Sequence, residues 1–82
     1  MSNAAPKLGK ITRERGVAGQ ISYSVTVTYP GESPETVTFI GSTYGGPIVM
    51  IHDTWGQQFV RNAERHGPFS EAWVRSFYAE RG

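Results

Sequence analysis

Cysteine is absent from the 82 residues. With it go a disulfide-stapled scaffold, a thiolate zinc site and an Fe–S centre, because each needs sulfur bridges or ligands. Acid–base groups are sparse: Asp53 is the single aspartate, beside six glutamates and two histidines. Long apolar runs are missing too. The longest, Ile48-Val49-Met50-Ile51, falls far short of the roughly 20 residues that carry a helix across a bilayer, so no membrane span is expected. The first 15 residues hold Lys7, Lys10, Arg13 and Arg15 but no apolar core segment, which does not fit a secretory signal and leaves a cytoplasmic chain as the expectation. Residues 21 to 53 contain no lysine or arginine and carry only Glu32, Glu35 and Asp53.

What is present describes one small domain. Hydrophobic residues make up 38% of the chain and the formal charge is +1. Residues 1 to 6 are set aside as a disordered tail, in which Ser2-Asn3-Ala4 has the look of a tag remnant and would also suit a natural start, leaving residues 7 to 82 as the domain. A chain of this length buries only about 60% of the surface it exposes when unfolded. Its core must be well packed or shared with a partner, so a homodimer is one expectation.

Strict alternation from residue 20 to 29 puts Ile21, Tyr23, Val25, Val27 and Tyr29 on one parity and glutamine, serine and threonine on the other, which predicts a half-buried strand. Pro30-Gly31-Glu32-Ser33-Pro34 supplies a turn, and Val37 and Phe39 resume the apolar parity. The two runs read as an antiparallel hairpin, with both prolines outside the ladder. Residues 8 to 15 form a weaker, charged edge strand with Ile11 as its core contact. Residues 41 to 46 read as a loop. Residues 47 to 52 have no polar face, which predicts a strand buried on both sides.

Residues 53 to 66 fit two readings. As a helix, Thr54 caps and Trp55, Phe59, Val60 and Ala63 share a stripe until Gly67-Pro68 stops it. As a hairpin, Asp53-Thr54-Trp55-Gly56 is a turn with Gly56 at positive φ, returning residues 57 to 61 as a further strand. The end of the chain is plainer. Ser70 caps a helix, Glu71 suits the positive end of its dipole, Phe69 staples to Val74, and Trp73, Val74, Phe77 and Tyr78 make an apolar stripe. The fold expected is α+β: a strongly curved antiparallel sheet of four or five strands, curved as far as a barrel-like form in one version, with one C-terminal helix across it.

Phe59-Val60, Glu64-Arg65-His66-Gly67 and residues 71 to 79, together with residues 23 to 29 and 37 to 50, resemble a group of small uncharacterised proteins of actinobacteriophages, including mycobacteriophages. The resemblance spans residues 11 to 79 and implies a phage origin, a bacterial cytoplasm and the hairpin reading of residues 48 to 61. It carries no catalytic residue. His66 stands where the pattern has an aromatic, which leaves the packing role of that position open.

Chemistry in the residues themselves is thin. His52 and Asp53 are adjacent, so a strand sends them to opposite faces. His52 and His66 lack metal-ligand spacing, and the glycines of residues 41 to 47 lack the Lys-Ser/Thr of a phosphate-binding loop. No cofactor or metal is expected, and no enzyme. The function expected is a protein-interaction module that modulates a host or phage protein, with Tyr44, Ile11, Arg13, Arg15 and Trp55 as candidate contacts and strand addition at residues 8 to 15 as one route. The alternative is weak nucleic-acid binding through Lys7, Lys10, Arg13 and Arg15 beside exposed aromatics, although a pI near 8.1 lies below the value of about 9 usual for such domains.

Overall fold

In the computed structural model, residues 5–42, 44 and 46–81 are described, the side chain of Arg81 excepted. The expectations for Ser2, Asn3 and Ala4, and for Thr43 and Gly45 of the glycine loop, lie outside these residues. Among them the chain forms strands β1 (Lys7–Arg15), β2 (Gln20–Thr28), β3 (Glu35–Ser42), β4 (Ile48–Asp53) and β5 (Gly56–Arg61). A 3-10 turn (Ala63–His66) and the helix α1 (Glu71–Arg81) follow.

The strands pair antiparallel in sequence order. Among the described residues the sheet is not closed: β1 and β5 are its edges, and the barrel-like form of the expected curved sheet is not seen. Alternation fixes the faces. Val25 lies between Ile11 and Val37, and Tyr23 between Arg13 and Phe39. Phe39 continues to Ile51 on β4, and Val49 pairs with Val60 on β5. This parity is the buried one. In β1 the register slips between Leu8 and Ile11, so Gly9 and Lys10 together oppose Thr26 as a bulge that bends the edge.

The hairpin reading of residues 53 to 66 prevails. Asp53 turns back on itself by accepting the Trp55 amide on Oδ1 at 2.8 Å, an Asx turn, and Gly56 takes φ 114°, a conformation open to glycine at no steric cost. The helical stripe of Trp55 and Phe59 is thereby replaced: both side chains stand in solvent. Asn62, at φ 56°, swings the chain from β5 into the 3-10 turn, and Ala63 anchors that turn by donating its amide to the Pro47 carbonyl at 2.9 Å.

Ser70 caps α1, its Oγ accepting the Trp73 amide at 3.4 Å. The helix lays Trp73, Val74, Phe77 and Tyr78 on the buried face of the sheet. Phe39, fully enclosed, meets Trp73, Phe77 and Tyr78 edge-on at centroid distances of 5.6–5.9 Å. The indole Nε1–H of Trp73 donates to the Ala63 carbonyl at 2.8 Å, which ties helix to 3-10 turn and satisfies the polar atom of a buried tryptophan. Phe69 packs on Tyr23 and Trp73. Two expectations are corrected in detail. Tyr29 lies past the end of β2 and is exposed, and Pro6, set aside with the tail, is buried.

The largest correction concerns β4. Val49 and Ile51 are buried, but α1 covers one face only, so on the other face Met50 is half-buried and Ile48 is 47% exposed. A strand with no polar side has cover on one side. No helix of the described residues is long and apolar enough to cross a membrane.

Gly41, paired with Ile21, lies beneath the Phe69 ring: a Cβ there would come within 2.7 Å of it. Gly41→Ala is expected to lower stability by about 1–3 kcal/mol through this overpacking. Trp73→Ala should lose about 3–5 kcal/mol, enough to unfold much of the chain. Urea titration followed by far-UV circular dichroism reads both.

Candidate functional site

The face of the sheet opposite α1 is built by the polar parity of β2 and β3, which turns apolar toward β4 and β5. Ser24, Thr38, His52 and Gln57 make one cross-strand row, with Ser24 Oγ and Thr38 Oγ1 hydrogen-bonded at 3.2 Å. The next row runs Ser22, Ile40, Met50, Phe59. Phe59 is 61% exposed, and Ile48 beside it pairs with Arg61. Antiparallel sheets with one wet face ordinarily present polar residues there, and the Ser/Thr half conforms. The Ile40–Met50–Phe59 row does not. It is a contiguous apolar band, rimmed by hydroxyls on one flank and free of lysine and arginine on β2, β3 and β4.

The residues singled out in the sequence do not converge. Trp55 is 85% exposed in the β4–β5 turn and Tyr44 is 87% exposed in the β3–β4 connection, at opposite ends of a six-residue strand about 20 Å long. Ile11 is half-buried against the core, which makes it a packing residue first. Arg13 and Arg15 share the helix-side parity of β1, whereas Lys7 pairs with Thr28 on the open-face parity and Lys10 sits in the bulge. The four cations are exposed but divided between two faces. At the Trp55 end, Tyr29, Glu32, Glu35, Asp53 and Trp55 border a shallow groove of about 310 Å³.

One cluster escaped the sequence reading. The His66 side chain is only 3% exposed, with its ring edge-on to Trp73 and Phe77 at 5.3 and 6.2 Å. The ring is thus packed among aromatics, which gives His66 the packing role the sequence left open. Its Nδ1 lies 3.3 Å from Ser76 Oγ and its Nε2 3.3 Å from Glu80 Oε2, while Arg65 reaches Glu80 at 3.5 Å. The helical spacing of Ser76 and Glu80, four residues apart on one face, was the signal available; nothing in the sequence tied it to His66.

The order hydroxyl–imidazole–carboxylate is that of a nucleophile, base and orienter. The surroundings argue for structure instead. Ser76 is in mid-helix, where its amide is committed to the helical ladder and offers no oxyanion donor. The depression beside the cluster, lined by Val60, Arg65, Phe77 and Glu80, does not reach Ser76 or His66. His52 and Asp53 project to opposite faces, as their adjacency in a strand requires. Among the described residues no three His, Asp or Glu side chains are grouped to hold a metal ion.

No protein-family model, curated protein or solved structure matches the chain.

The wild-type protein is expected to hydrolyse an activated aryl ester no faster than Ser76→Ala does; turnover lost with Ser76 would give the cluster a catalytic role. His66→Ala should cost roughly 1–3 kcal/mol in a urea titration through lost burial, whereas Trp55→Ala should change stability by less than about 0.5 kcal/mol.

Proposed function

We propose that the chain is a small non-enzymatic protein-interaction module whose contact surface is the open face of the sheet. The observation that carries this reading is β4, a strand with an apolar residue at each of its first four positions, covered by α1 on one side and exposing Ile48 and half of Met50 on the other. An apolar band rimmed by polar groups is the composition of a protein contact. The resemblance of residues 11 to 79 to small actinobacteriophage proteins supports a host or phage protein in a bacterial cytoplasm as the setting. A nucleic-acid reading has less behind it. Tyr23 and Phe39 are buried in the core, and the basic residues of β1 are split between two faces, so those rings and those cations make no common stacking surface.

The test is in-cell-extract cross-linking of the purified chain. Phe59→Asp, which sets a charge in the apolar band, is expected to remove most cross-linked protein species, its own copies included, while leaving the near-UV circular dichroism of Trp73 intact. Unchanged cross-linking would overturn the reading. On an immobilised polyanion the wild type should elute at low salt, because counterion release gives a true nucleic-acid binder a steep salt dependence; retention to high salt would favour the alternative.

A further inference from the structure

We infer that the open face is covered by a second copy of this chain, the two sheets stacked face to face around the Ile40–Met50–Phe59 row. The inference rests on the interaction reading above and names its partner. Three observations carry it.

The first is the pattern of β4. A near-continuous apolar run marks a strand enclosed on both sides, and Ile48-Val49-Met50-Ile51 is such a run. The second sheet of a sandwich packs about 10 Å away and supplies that cover. The chain is also short enough that sharing a core adds substantially to stability.

The second is size. Five strands about 4.8 Å apart and roughly 20–30 Å long give a footprint on the order of 600 Å². A pleated face bearing side chains has an accessible area somewhat above its footprint, close to the about 800 Å² that each partner contributes to a standard stable interface. One face of one more copy meets that need.

The third is charge. β2, β3 and β4 contribute Gln20, serine, threonine, isoleucine, methionine and the histidine His52 to this face but no lysine, arginine or carboxylate, so like surfaces meet without repulsion. The charges lie at the margins: β1 places Glu14, paired with Ser22, and Lys7, paired with Thr28 at the far end of the strand, and β5 places Arg61, paired with Ile48. A two-fold axis running along the strands sets β1 of each copy over β5 of the other. Glu14 and Arg61 occupy adjacent rows of the face, so this axis brings them close in both halves of the isologous contact.

The experiment is sedimentation and native mass spectrometry of the purified full chain across micromolar concentrations, for wild type, Met50→Lys, Phe59→Asp and Trp55→Ala. The wild type should run at twice 9.0 kDa, and so should Trp55→Ala, whose change is remote from the face. Met50→Lys keeps a long flexible stem and adds only a terminal charge, so it should remain folded and weaken the dimer by roughly 30-fold or more. Phe59→Asp should do the same. A wild type that stays at 9.0 kDa overturns self-association; if its cross-links in extract still vanish with Phe59→Asp, the interaction module stands with a foreign partner. A dimer that survives Met50→Lys, which is not on an edge strand, uses a different surface and overturns the face-to-face assignment.

Discussion

The seat of α1 on the sheet decides everything else about this molecule. Phe39 is fully enclosed at the centre of the buried parity, and three aromatic rings of the helix close on it edge-first. Trp73 stacks on Phe77 and reaches the Ala63 carbonyl, so helix, 3-10 turn and sheet are fastened through one cluster. Edge-to-face aromatic pairs contribute about 0.5–1.5 kcal/mol each beyond area burial, and concentrating them on one side fixes which face of the sheet is lined and which is left bare. The bare face is a product of where the helix lands.

Most of this was legible in the residues. Alternation in residues 20 to 29 and 35 to 39 gave the parity of β2 and β3, and Ser70 with the Trp73–Tyr78 stripe gave the helix. The hairpin of β4 and β5 was one of two readings, settled by Asp53, Gly56 and Asn62, whose turn-forming conformations local propensity alone weighs too lightly. Where the reading went astray, a tertiary fact intervened. β4 was expected to be buried twice because its sequence is apolar on both parities; periodicity records what a strand is suited to and not how many layers the chain supplies. The packing role of His66 was left open because the resembling pattern has an aromatic there, yet an imidazole ring is flat and can be enclosed when both nitrogens find partners.

The candidate surface was less legible than the fold. Tyr44 and Trp55 were sensible choices, being aromatics flanked by turn residues, and both are exposed; they lie at opposite ends of β4 and so do not make one site. Phe59 was assigned to a helical core stripe in one reading and drew no attention in the other. Its role in the band depends on pairing with Met50 across β4 and β5 and, through Ile40, with β3. A surface assembled from single residues on separate strands has no local signature.

The two margins of the sheet are unlike. β1 carries Lys7, Lys10, Arg13, Glu14 and Arg15 and is bent by the Gly9–Lys10 bulge, devices that discourage another strand from joining. β5 offers Gln57, Gln58, Phe59 and Val60 before its one charge at Arg61. Endless head-to-tail growth into a fibril requires each molecule to present two receptive margins, one to accept and one to donate. With a single receptive margin the chain lacks the second, and an accidental margin-to-margin encounter terminates as a closed pair instead of elongating.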